Sequence, residues 1–190
     1  MELMHAINER RAYRVIKPVK ITEDTLDYLA EAAQLAPSCY NNQPWNYVFV
    51  TSPEKLAQMQ PVFSKGNEWA YNGSLVIAVC SKKEDDCITA GREYHHFDSG
   101  ISSAFLMLAA TDLGLVAHPI AGYSQKKAKK VLNIPQDMTV ITLIVVGKHD
   151  EEKLAQLSDE DKKAEIERPE RKEFSQFIHL NEYNIKDDNK

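Results

Sequence analysis

Two stretches of this chain carry residue types that can do chemistry. The first holds three arginines within five residues, Arg10, Arg11 and Arg14. A guanidinium offers a fixed fork of donors that matches phosphate, so the cluster reads either as an anion clamp or as a solvated basic patch. A second basic group, Arg168, Arg171 and Lys172, stands toward the other end and suits the same phosphate if the fold joins them. The second stretch runs from Ala36 to Trp45. Pro37 and Pro44 bracket Ser38, Cys39, Tyr40, Asn41, Asn42 and Gln43, which together bring a hydroxyl, a thiol and amides. Such a segment cannot form regular structure. It is a satisfied turn or the wall of a polar-ligand site.

Other constellations are weaker. Glu93 and His96 share the i, i+3 spacing of carboxylate–histidine metal sites, but a second copy and further inward carboxylates are needed. A polar cluster at a helix terminus is the simpler expectation, and no metal is assigned. Cys39 would be a nucleophile only beside a base, and the sequence nominates none. There is no Gly-x-Gly-x-x-Gly, Gly-Lys-Ser/Thr or Gly-x-Ser-x-Gly motif, so neither a Rossmann dinucleotide, a P-loop nucleotide nor a hydrolase elbow is indicated. The formal charge of -5, spread through the chain, argues against a nucleic-acid face. No apolar run is long enough to span a bilayer, and the start lacks the pattern of a signal peptide. Cys39, Cys80 and Cys87 suggest neither a disulfide framework nor a zinc site, so a reducing cytoplasm is expected.

The elements that must position these residues follow from periodicity. A short helix over Met1–Asn8 leads into the arginines. Thr22 caps a helix whose Leu26, Leu29, Ala33 and Ala36 form one face, and Pro37 stops it. Asn46–Val50 reads as a strand. Ser74–Cys80 reads as a strand buried on both faces, and Met138–Val146 as a third strand closed by Gly147. The helix from about Tyr94 to Leu113 is apolar or small almost all round between Ile101 and Ala110. It predicts a central helix that partly faces a second subunit, with Ser102, Ser103 and Ala104 allowing close approach. Ala117–Tyr123 reads as a compact loop, and Lys148–Lys172 as a charged, partly helical connector. The class expected is α+β, a modest sheet with helices around it, in one domain over 1–179 with a tail at 180–190.

These pieces resemble the FMN-dependent nitroreductase family. Arg10-Arg11-Ala12-Tyr13-Arg14 is similar to its Arg-Arg-Ser-x-Arg signature. Residues 36–45 match its Ala-Pro-Ser-x-x-Asn-x-Gln-Pro-Trp. Pro119-Ile120-Ala121-Gly122 stands where the family has a Pro-Ile-x-Gly turn, and Arg171-Lys172 ahead of His179 resembles its ending. The resemblance implies the nitroreductase fold, a central, mostly antiparallel sheet flanked by helices with its long helix at a homodimer interface, together with FMN as cofactor and NAD(P)H as hydride donor. It implies a ping-pong relay to nitroaromatics, quinones or similar small acceptors, with flavin N5 rather than a side chain carrying the chemistry. Arg10, Arg11, Arg14 and Arg171 or Lys172 would hold the FMN phosphate and ribityl chain. Pro37, Ser38, Cys39 and Asn41 would reach the flavin from the other subunit, while Gln43 and Trp45 shape their loop. Asn67 would meet the pyrimidine edge. Ala121 would offer its N–H to N5, beside Pro119, Ile120 and Gly122. Ala12 replaces the usual serine and removes one hydrogen bond. The tail would wrap the partner. A dehalogenating or flavin-fragmenting relative and a non-catalytic flavin binder are the alternatives.

Overall fold

The computed structural model describes residues 2–183. Most of the tail expected to wrap a partner lies outside the described residues. In chain order the elements are α1 (Leu3–Glu9), β1 (Ile16–Lys17), α2 (Glu23–Gln34), β2 (Trp45–Val50), α3 (Pro53–Met59), β3 (Leu75–Ser81), β4 (Ile88–Thr89) and β5 (Arg92–Glu93). They continue with α4 (His95–Asp112), β6 (Val116–Ile120), α5 (Gln125–Leu132), β7 (Thr139–His149), α6 (Glu151–Leu154) and α7 (Asp159–Ile166). The chain divides into two compact units, one ending at Gln156 and one beginning at Leu157.

In the first unit all pairings of the main sheet are antiparallel. β2 pairs β3, β3 pairs β7, and β7 also pairs β6 and, at its end, β1. β3 is buried along its whole length, as its uninterrupted apolar sequence requires. Its side chains alternate: Val76, Ala78 and Cys80 enter one core with Met59, Val62 and Leu143, while Leu75, Ile77 and Val79 enter another with Leu29, Leu106 and Ile144. Helices α2 and α4 cover the second face. Thr22 caps α2 by accepting the Thr25 N–H at 3.2 Å, with Glu23 and Asp24 in the first turn.

Three expectations change. Ser102 and Ser103 are buried inside the chain and do not wait for a partner: Ser102 Oγ donates to the Ala33 carbonyl at 2.9 Å and meets the Tyr47 hydroxyl at 2.7 Å. Small residues let α4 approach α2, and a polar contact follows. Second, half of the expected loop at residues 117–123 is strand. Pro119 is tolerated because β6 lies on an edge, where a missing N–H costs no ladder bond. Third, β7 runs through Gly147. A Cβ there would sit 3.2 Å from Ile16 Cδ1 and the Lys17 carbonyl, so glycine admits β1.

In the second unit Ser158 caps α7 through the Asp161 N–H at 3.1 Å, and Glu173 with Gln176 forms a capping box on a short 3₁₀ turn. Arg168, Arg171 and Lys172 are exposed within this unit.

Leu106 is fully buried between α4 and the sheet. Leu106→Ala is expected to lower unfolding free energy by about 2–5 kcal/mol with an unchanged denaturant slope, measured by urea titration.

Candidate active site

The loop after α2 is held in an unusual backbone. Tyr40, Asn41 and Gln43 have φ of 48°, 59° and 50°. Non-glycine residues in this region cost of order 1–3 kcal/mol each and persist only when surroundings over-determine them. Here they do. The Gln43 N–H donates to Ser38 Oγ at 2.9 Å, and the Asn41 N–H to the Ser38 carbonyl at 3.0 Å. The Cys39 N–H donates to Asp98 Oδ2 at 2.6 Å, and Asn42 Nδ2 to Asp86 Oδ1 at 3.3 Å. The outcome is a rigid turn that displays Tyr40 with 91% of its surface exposed.

The cysteine expectation is corrected here. Cys39 and Cys87 form a disulfide, with their Cα atoms 6.1 Å apart. Three cysteines do not disclose which two meet, and residues 82–86 just ahead of Cys87 read as a charged loop. It leads instead into the β4–β5 hairpin, which delivers Cys87 to the loop after α2. Cys80 is the free thiol; burial pushes it up to about 11, which leaves it inert.

Asp98 was missed. It sits in the first turn of α4, only 2% exposed. Burial raises its pKa, the Cys39 N–H opposes that, and the neighbouring Asp86 carboxyl raises it further. A carboxylate one turn into an otherwise apolar helix was the available signal. Pro37, Ser38, Cys39, Tyr40, Phe97 and Asp98 line an open cleft of about 460 Å³.

The arginines belong to a different network. Arg10 ends α1, and the Arg11 guanidinium lies 5.1 Å over the Tyr13 ring. Tyr13 stacks on His149 at 4.0 Å, and His118 Nδ1–H donates to the Tyr13 carbonyl at 3.1 Å. Trp69 packs on His118 at 4.4 Å and donates from Nε1 to Asn67 Oδ1 at 3.2 Å. Asn67 Nδ2 donates to the Gly122 carbonyl at 3.0 Å. This chain of contacts joins the arginine segment, Asn67 and Pro119–Gly122. An added Cβ at Gly122 would run into Asn67 Nδ2, so the close approach that glycine permits is to Asn67. Ala12, Pro119 and Ala121 are exposed, and Ile120 is buried. Arg171 and Lys172 belong to the second unit.

Glu93, His95 and His96 form a polar cluster at the start of α4. His95 Nδ1 meets Ser81 Oγ at 2.6 Å, its Nε2 lies 3.5 Å from Glu93 Oε2, and Lys83 pairs with Glu93 at 2.6 Å.

Two outcomes test this geometry. Gly122→Ala is expected to break the Asn67 hydrogen bond, to destabilise by roughly 1–3 kcal/mol, and to shift Trp69 emission in a Trp45→Phe background. Asp98 titrates above its unfolded pKa, so between the two values the native chain keeps a proton that the unfolded chain has lost. Stability therefore falls as pH rises through that window, and Asp98→Asn should abolish that fall in denaturation curves.

Comparison with known proteins agrees with this architecture. An Archaeoglobus fulgidus protein named as a candidate NADH dehydrogenase/NAD(P)H nitroreductase is 29% identical over 158 residues, covering 80% of this chain and 88% of its own length. A solved structure described as an oxidoreductase containing FMN superposes with a TM-score of 0.81 at 23% identity, covering 95% of this chain and 92% of that one. A candidate nitroreductase from Exiguobacterium sibiricum 255-15, solved in complex with FMN, superposes with a TM-score of 0.71 at 25% identity, over 78% of this chain and 88% of that one. The family model described as the nitroreductase family matches residues 7–68 and 64–148, and the chain belongs to that family.

Proposed function

We propose that this chain is an FMN-dependent oxidoreductase that takes hydride from NAD(P)H and passes it to nitroaromatic, quinone or similar acceptors. It works as a cytoplasmic homodimer with each flavin held between two copies. The carrying observation is the placement of the site residues in the sheet. The loop at 37–43 precedes β2 on one edge, while Pro119–Gly122 lies at and just past the end of β6 on the other, with the arginine segment joined to β6 through Tyr13 and His118. Three strand spacings, about 14 Å, separate those edges, so a ligand touching both sets is best served by two chains. Exposed apolar side chains supply a face for the second copy: Leu3, Met4 and Ile7 on α1, and Phe97 and Phe105 on α4.

The residues present suit the cofactor. Arg10 and Arg11, on a segment pinned by Tyr13 and His118, offer guanidinium donors to a phosphate, with Arg14 alongside. Ala121, exposed just past β6, offers its backbone N–H to the ring. Asn67 spends its carboxamide on Gly122 and Trp69, so it acts mainly by fixing the 119–122 turn. From the partner copy, Pro37, Ser38, Cys39 and Asn41 close the site; Ser38 Oγ already accepts from Gln43 and keeps its own proton to donate. Tyr40 and Phe97 give a planar acceptor apolar surface to stack on. FMN held by these residues would supply the two-electron chemistry that links nicotinamide oxidation to reduction of the acceptor.

The purified protein is expected to be yellow, to sediment as two 21.6 kDa chains, and to bleach under argon on addition of NADH or NADPH. Arg11→Ala should weaken FMN binding roughly 10- to 100-fold in fluorescence titration. A colourless monomer that ignores added FMN overturns the reading.

A further inference from the structure

The Cys39–Cys87 bridge sits in a polar setting that a merely structural staple does not need. Cys39 donates its N–H to Asp98, and the Cys87 N–H donates to Asp86 Oδ1 at 2.8 Å. Asn42 Nδ2 reaches both Asp86 Oδ1 and, at 3.6 Å, Cys87 Sγ. Asp86 and Asp98 are 9% and 2% exposed, and Asp86 Oδ2 has no donor among the described residues. The neighbouring Asp86 carboxyl helps to hold a proton on Asp98, whose pKa is raised by burial and by that neighbour. Both bridged cysteines are half-buried, and Cys39 lines the open cleft that also meets Tyr40 and Phe97. A disulfide with a reachable sulfur, a leaving sulfur near a donor and a buried carboxylic acid pair beside it has the parts needed for thiol–disulfide exchange.

We propose that Cys39–Cys87 is a redox-active disulfide, served by the Asp86–Asp98 carboxyl pair, whose substrates are small dithiols entering through the cleft at Cys39. A donor thiolate attacks Cys39 Sγ and the Cys39–Cys87 bond breaks. The electron pair passes to Cys87 Sγ, where the Asn42 N–H supports the charge and the proton of the carboxyl pair neutralises it. The donor's second thiolate then attacks the mixed disulfide. Cys39 leaves and takes up a proton, and the donor departs as its cyclic disulfide. Two electrons and two protons have moved from the dithiol to the cysteine pair, and the carboxyl pair recovers its proton from those the donor lost. In the cytoplasmic setting proposed above, a disulfide that persists is expected to be of this reactive kind. The inference does not require flavin chemistry, because its test reads thiols directly.

The test equilibrates the native full chain in mixtures of reduced and oxidised dithiothreitol, quenches with iodoacetamide and locates adducts by mass spectrometry. Cys39 and Cys87 are expected to become alkylated together in one two-electron transition, while buried Cys80 stays unmodified until the chain is denatured. Asp98→Asn should slow reduction by roughly tenfold or more, the effect of removing a positioned general acid. Asn42→Ala should slow it too, and serves if Asp98→Asn does not fold. A pair that stays closed in the folded protein under excess dithiothreitol, or free thiols at every ratio, overturns the proposal. Unchanged reduction rates in the folded variants remove the carboxyl pair and Asn42 from it.

Discussion

The long strand β7 is the constraint on which the rest depends. One edge carries β3 from Leu75↔Val146 to Ser81↔Thr139. The other carries β6 as far as Val116↔Gly147, and past both neighbours β1 pairs with the end of β7 at Lys17↔Lys148 and Ile16↔His149. Segments remote in sequence thus meet along a single backbone. That is why the arginines ahead of β1 and the turn after β6 can share the aromatic contacts running from Tyr13 through His118 to Trp69. The hydrogen bonds of β7 are buried between two apolar cores, so this arrangement has little freedom to slide. Register is strongly specified wherever a strand's faces are buried.

The opposite edge follows a different logic. The loop ahead of β2 is tied to the start of α4 and to the segment before β4, not to the arginines. It keeps three residues in left-handed backbone, which the disulfide, Ser38 and Asp98 offset together. Strain concentrated beside a cleft, with a pair of buried carboxyls beneath it, is typical of a working surface.

What the sequence disclosed depended on how local each signal is. β3 was readable because burial on both faces leaves an unbroken apolar run. The loop at 36–45 was readable because its polar groups are dense within ten residues. β1 was not, since two residues carry no period and their partner lies 133 positions away in Ile16↔His149. The β4–β5 hairpin was hidden by its turn, where Ala90 and Gly91 take φ of 50° and 78° without the asparagine or aspartate that usually announces such a turn. Ser102 and Ser103 looked like an intersubunit seam because small residues mark close helix approach without saying which helix approaches. The Tyr13–His118–Trp69 contacts and the Cys39–Cys87 pair are long-range, and single-sequence pattern has no access to them.

Pro119 has a consequence beyond its place beside the site. An edge strand with open amides is a template on which another chain can add a strand. On the outer edge of β6 that template is spoiled, because proline contributes no N–H. Two copies of this chain therefore cannot join by continuing the sheet past this edge. Association along it must use side chains rather than a ladder of amides, which protects the site from strand-swapped aggregates while leaving its helices free to pair.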